Sequence, residues 1–110
     1  MRRSLVLAVF LLLLAACGQP LPPERAAYVG VWRNGSTSLT ITAGGRVAYV
    51  VKGENGFDKK IRAPLKRFDG DSFVVGGGPF TTTFVVTSPP HATADGWTMT
   101  VDGVELHRVD

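Results

Sequence analysis

Glycine-bearing turn signals interrupt the chain from residue 28 onward so often that no long helix fits between them. They stand at Asn34-Gly35, Gly44-Gly45, the Gly53 to Gly56 stretch, Asp69-Gly70, Gly76-Gly77-Gly78-Pro79, the Ser88 to Gly96 loop and Asp102-Gly103. The segments between them are rich in β-branched residues, with Val at 12 positions and Thr at 10 between 28 and 110. Strong helix formers are scarce: Leu occurs only at 39, 65 and 106, and Glu only at 54 and 105. The expected fold is therefore all-β. Seven turns separate eight short strands, at about 28–33, 37–42, 46–52, 57–67, 71–75, 80–87, 97–101 and 104–109. Asp102-Gly103 is the strongest two-residue hairpin signal among them.

Period-two alternation assigns the inner faces. Pointing inward are Tyr28, Gly30 and Trp32; Leu39 and Ile41; Val47, Tyr49 and Val51; Ile61, Ala63 and Leu65; and Phe73 and Val75. The later strands add Phe80, Phe84 and Val86; Trp97, Met99 and Val101; and Val104 and Leu106, while Thr40, Thr42, Thr81, Thr83, Thr98 and Thr100 take the outer face. One buried and one wet face per strand describes an antiparallel meander. Eight such strands close into a small barrel, with a two-sheet β-sandwich as the alternative that satisfies the same pattern. Pro64 calls for an edge or a bulge where it stands.

The N-terminus is a different kind of sequence. Arg2 and Arg3 precede an apolar run from Leu5 to Leu14, followed by Leu14-Ala15-Ala16-Cys17, which reads as an export signal helix. The run ends at Gly18-Gln19-Pro20, short of the roughly 20 apolar residues a spanning helix needs. The whole chain holds 12 Lys and Arg against 9 Asp and Glu; setting aside Arg2 and Arg3 leaves ten against nine. The basic isoelectric point is thus no argument for nucleic acid. Leu14-Ala15-Ala16-Cys17 resembles the bacterial lipobox, and the resemblance implies cleavage before Cys17 and a diacylglyceryl thioether on it. The single cysteine fits, since an exported chain with one thiol makes no internal disulfide and a lipid consumes that thiol. Domains follow as residues 1–16, signal peptide; 17–27, lipidated cysteine and Pro-rich spacer; and 28–110, β-barrel. Gly18 after the cysteine implies, by the sorting rule of many Gram-negative lipoproteins, an outer-membrane anchor facing the periplasm.

Gly30-Val31-Trp32 in the first strand and Leu106-His107-Arg108 in the last resemble the two ends of lipocalin-like barrels. The resemblance implies that Arg108 covers Trp32 and closes the barrel. Physically, a guanidinium on an indole face is worth about 0.5 to 2 kcal/mol while its nitrogens still reach solvent. Ala63-Pro64-Leu65, the stretch from Phe68 to Phe73, and Trp97 through Leu106 are also similar to short uncharacterised lipoproteins of Gram-negative bacteria. Eight strands leave an interior just wide enough for side chains, so a filled aromatic core is expected ahead of a cavity for a small hydrophobic ligand.

No catalytic or metal constellation stands out. His91 and His107 lie in no metal spacing and beside no nucleophile, and His91 with Asp95 makes an incomplete ligand set. The Gly76-Gly77-Gly78-Pro79 run lacks the lysine and helix of a phosphate loop. No cofactor is expected, and the chain is read as a non-enzyme. The fourth strand is the exception to this plainness: Lys59, Lys60, Arg62, Lys66 and Arg67 crowd it, with Lys60, Arg62 and Lys66 on one face by period two. They suit an anionic membrane surface or an acidic envelope protein, or they blunt an edge strand. Export and the absence of interleaved stacking aromatics exclude nucleic acid. The expected role is a lipid-anchored, non-catalytic binding or accessory module of the cell envelope. The alternatives are a carrier of a small hydrophobic molecule and, by resemblance to protease-inhibitor lipoproteins with a G-x-W start and L-x-R finish, an inhibitor whose Gln19 to Ala27 segment enters a protease cleft.

Overall fold

A computed structural model describes residues 19–53, 56 and 58–109. The signal segment and Cys17 lie outside the described residues. A 3-10 helix, Pro23–Tyr28, leads into nine strands: β1 Gly30–Asn34, β2 Thr37–Ile41, β3 Arg46–Lys52, β4 Asp58–Asp69, β5 Ser72–Gly77, β6 Phe80–Phe84, β7 Val86–Thr93, β8 Gly96–Val101 and β9 Val104–Arg108. They form one antiparallel sheet in the order β6-β5-β4-β3-β2-β1-β9-β8-β7, curled into a half barrel. The expected all-β antiparallel architecture is present, with nine strands where eight were expected.

The extra strand comes from the segment read as a Ser88 to Gly96 loop. Residues 86–93 pair with β8, and the chain passes from β6 to β7 through Val85 alone. Pro89 and Pro90 suggested a loop because proline donates no ladder hydrogen bond. They are accommodated because β7 is an edge strand, and because its register slips between Val86 and Ser88 and again between Ser88 and His91. The β6–β7 corner also explains the curl: two strands at opposite ends of the sheet are joined by one residue, so the ends must meet there. The backbone N–H of Val85 donates to the Asp102 carboxylate at 2.9 Å and that of Val86 to Ser72 Oγ at 2.9 Å, pinning the corner to the strands on either side.

β4 bends in a related way. Its first part pairs with β3, from Lys52↔Asp58 to Arg46↔Pro64, and its second part with β5, with a register shift between Leu65 and Arg67. The bulge stands next to Pro64, as that residue required. At the β8–β9 turn, Asp102 and Gly103 both have positive φ, 49° and 81°, and close a two-residue hairpin at Val101↔Val104.

The core lies inside the curl. Trp32, Leu39, Phe73 and Met99 are fully buried, and Ile41, Val75, Phe84 and Leu106 nearly so. Phe73 stacks on Phe84 at 5.1 Å between centroids, and Tyr49 meets Phe84 edge-on at 5.0 Å. Three residues differ from the alternation in placement or burial. Tyr28 is buried, but from the 3-10 helix; the first strand starts at Gly30. Phe80 is 81% exposed: its cross-strand partner is Gly77, which offers no side chain to pack against, and β6 is an edge. Thr98, expected on the wet face, is buried and accepts or donates to His91 Nε2 at 3.2 Å.

The Pro-rich segment read as a spacer is folded onto the sheet from Gln19 onward. The Leu21 N–H donates to Ala43 O at 3.1 Å, and Leu21 packs against the core. At the β2–β3 turn Gly45 is buried at φ 88°, and a β-carbon there would overlap the Gln19 carbonyl.

A basic outer face as candidate functional site

The register places the charged residues of three strands on one outer face. Val47 and the buried Leu39 and Trp32 fix the inward phase, so Arg46, Ala48, Val50 and Lys52 of β3 point out, with Lys60 and Arg62 of β4 opposite Val50 and Ala48. On the other side of β3, Ser38 pairs with Val50 and Thr40 with Ala48, and Arg33 of β1 pairs with Ser38. Small and neutral residues thus form a floor with Arg33, Arg46, Lys52, Lys60 and Arg62 around it, all exposed. Asp58, opposite Lys52, is the one acid at the described outward positions of β1 to β3 and of residues 58–64 of β4, and none of the five cations makes an ion pair among the described residues.

Two shallow depressions lie in this face. One, of about 210 Å³, is lined by Thr40, Thr42, Arg46, Val47, Ala48 and Arg62. The other, of about 230 Å³, lies between Arg33 and Lys52 over Ser38 and Val50. Each has a guanidinium at its rim and hydroxyls in its floor, a donor set suited to phosphate or carboxylate oxygens.

Of the three basic residues picked out from β4, Lys60 and Arg62 share this face, while Lys66 lies past the bend. Lys66 is the extra residue at the bulge, where β4 has turned from β3 to β5, and the paired position opposite Val74 belongs to Arg67. Lys59 takes the other phase, with its Nζ 6.0 Å from the Tyr49 ring centroid. Residues 58–64 of β4 have β3 on one side and no ladder partner on the other among the described residues, so the basic segment is also an open strand edge. Arg33, Arg46 and Lys52 were not among the residues singled out. They stand far apart in sequence, and only the strand register brings them to Lys60 and Arg62.

Trp32 and Arg108 are cross-strand neighbours in the β1–β9 pair, and the guanidinium lies 5.8 Å from the Trp32 ring and 5.0 Å from that of Trp97. The Trp32 Nε1–H donates to Tyr28 O at 3.0 Å, so the buried indole has no unmet donor. A second cation joins the aromatic groups at the opposite side of the 3-10 helix. Arg25 lies 4.4 Å over the Phe68 ring and donates to Gly70 O at 2.9 Å, while Tyr28 OH donates to Asp71 O at 2.8 Å. Burial pushes the Tyr28 phenol above its ordinary value of 10.0, with the Arg25 charge opposing that shift. Burial also raises Tyr49, helped by the Asp102 carboxylate.

His91 is engaged locally. Its Nδ1 lies 2.9 Å from Pro89 O, which can only accept, so Nδ1 carries a proton, and Nε2 lies 3.2 Å from the Thr98 hydroxyl. His107 contacts Glu105 at 3.4 Å on an exposed face. Among the described residues no group of three His, Cys, Asp or Glu gathers as a metal site, and no helix is long and apolar enough to cross a membrane. In comparisons with known proteins the chain matches no family model, no curated protein and no solved structure.

Proposed function

We propose that the protein is a lipid-anchored module of the cell envelope that binds anionic surfaces without catalysing a reaction. The observation that carries the binding role is the cluster of Arg33, Arg46, Lys52, Lys60 and Arg62 on one exposed face with a single acid among them. A cluster of like charges with no ion-pair partner among the described residues costs folding energy through self-repulsion, and an anionic surface relieves that cost. Anchoring is inferred from Cys17 and the signal that precedes it. Bound there, the protein meets the membrane through covalent lipid, and its basic face adds about 1 kcal/mol per cation near an anionic surface.

The carrier reading needs room between Trp32, Tyr49, Phe84 and Trp97; Tyr49 lies edge-on to the buried Phe84 at 5.0 Å, and the Arg108 guanidinium lies 5.0 Å from the Trp97 ring, contacts that a ligand would have to displace. The inhibitor reading needs a free Gln19 to Ala27 segment, which instead docks through Leu21, Arg25 and the 3-10 helix.

The test takes the full chain processed in its host and held in neutral nanodiscs, and measures its co-sedimentation with phosphatidylglycerol vesicles as salt is raised. Binding that fades with ionic strength is expected. Equal recovery with neutral phosphatidylcholine vesicles, or binding indifferent to salt, contradicts the reading. In parallel, Cys17→Ala should shift the protein out of the membrane fraction.

A further inference from the structure

The chain enters the folded domain next to the basic face. Gln19 lies against Gly45 in the β2–β3 turn, Leu21 donates to Ala43 of the same turn, and Arg46 follows Gly45 directly. Thr42 Oγ1 accepts from the Arg46 N–H at 3.0 Å and so fixes where that side chain starts. Arg46 and Arg62 rim the depression of about 210 Å³ that opens beside this turn.

The reach of the tether decides what this placement means. An unfolded spacer from 17 to 27 would let the domain swing about 30 Å from the bilayer at roughly 3.1 Å per residue. With the segment folded from Gln19, only Gly18 stands between the domain and Cys17, and the two residue steps give a reach of no more than about 7 Å. The headgroup layer on one side of a bilayer is itself about 5 to 7 Å deep. A lipid on Cys17 therefore brings the β2–β3 turn to the level of the phosphates.

We propose that the β2–β3 end of the basic face, with Arg46 and Arg62, rests on the anionic phospholipid headgroups of the leaflet that holds Cys17, so that the domain is held in one orientation. This rests on the anchoring reading above and deepens it: the anionic surface is the protein's own membrane. Lys60 and Arg33 lie level with Val50, and Lys52 lies farther still from the turn along the same face. Charge complementarity and the point of chain entry select the same end of the molecule.

The experiment uses the lipidated full chain in nanodiscs with and without phosphatidylglycerol, doped with a gadolinium-chelating headgroup lipid, and reads amide broadening by NMR. An intact mass is taken first. Broadening should be strongest at Ala43, Gly44, Arg46 and Arg62 in the anionic discs, and weak at Gly35 in the β1–β2 turn. Arg46→Gln with Arg62→Gln should lower the docked-to-swinging ratio about 30-fold and even out the broadening. Salt should do the same to the parent chain as the screening length falls to about 3 Å, which gives a readout independent of the variant. Broadening that is uniform, centred elsewhere, or unmoved by both variant and salt overturns the docking. An intact mass without acyl chains overturns both the docking and the anchoring, whereas an acylated protein with uniform broadening overturns the docking alone.

Discussion

The tyrosines show how single residues carry both packing and pH sensitivity. Tyr49 sits edge-on to Phe84 with Lys59 near its outer side, and burial first, then the Asp102 charge, raises its phenol. The unfolded phenol titrates near 10.0, so above that pH the unfolded chain loses its proton before the folded one does. Stability is therefore full below pH 10 and drains as pH rises through the folded value. Tyr49→Phe is expected to flatten part of this alkaline decline, with Tyr28 supplying the remainder. Urea midpoints measured across that pH range check it, and a decline identical to the parent's contradicts it. At this scale the sequence was readable where alternation had neighbours to bury against, as at Trp32, Leu39 and Met99. It misled at Phe80, whose inward phase is correct but whose partner is a glycine. Arg25 gave no signal at all, because its partners Phe68 and Gly70 lie more than forty positions away in the chain and only the docking of the 3-10 helix joins them.

Strands and turns were the most legible level. Hairpin chemistry is local, so Asp102, Gly103 and Gly70 fall where the turns call for positive φ. Edges are not local, and this is why the Pro89-Pro90 segment reads as a loop in the sequence. As an edge strand β7 tolerates both prolines, and its two register slips with the missing N–H groups leave a broken row of donors facing outward. Pro89→Val together with Pro90→Val should restore a regular edge and increase self-association. Sedimentation velocity reads this as a faster, concentration-dependent boundary; a boundary unchanged from the parent chain would show that the prolines do not protect the edge. The same logic applies to residues 58–64 of β4, where Lys60 and Arg62 already guard an open edge while contributing to the basic face. The two roles are compatible, since edge protection needs only charge and surface binding needs that charge in register with Arg46 and Arg33.

For the whole molecule, function turns on where charge lies rather than how much there is. Beyond the signal the chain is nearly neutral, and its cations are concentrated by a sheet whose register aligns β1, β3 and β4 on one side. Lys66 and Arg67 carry the same charge past the bend and off that face. They supply the internal control. The most direct measurement is co-sedimentation of the nanodisc-held full chain with phosphatidylglycerol vesicles, comparing Lys60→Gln/Arg62→Gln with Lys66→Gln/Arg67→Gln. Removing the first pair should weaken binding about 30-fold, at roughly 1 kcal/mol per cation, and removing the second should cost far less. Equal losses from the two pairs would mean that the membrane reads net charge alone and would contradict a binding face on β1 to β4.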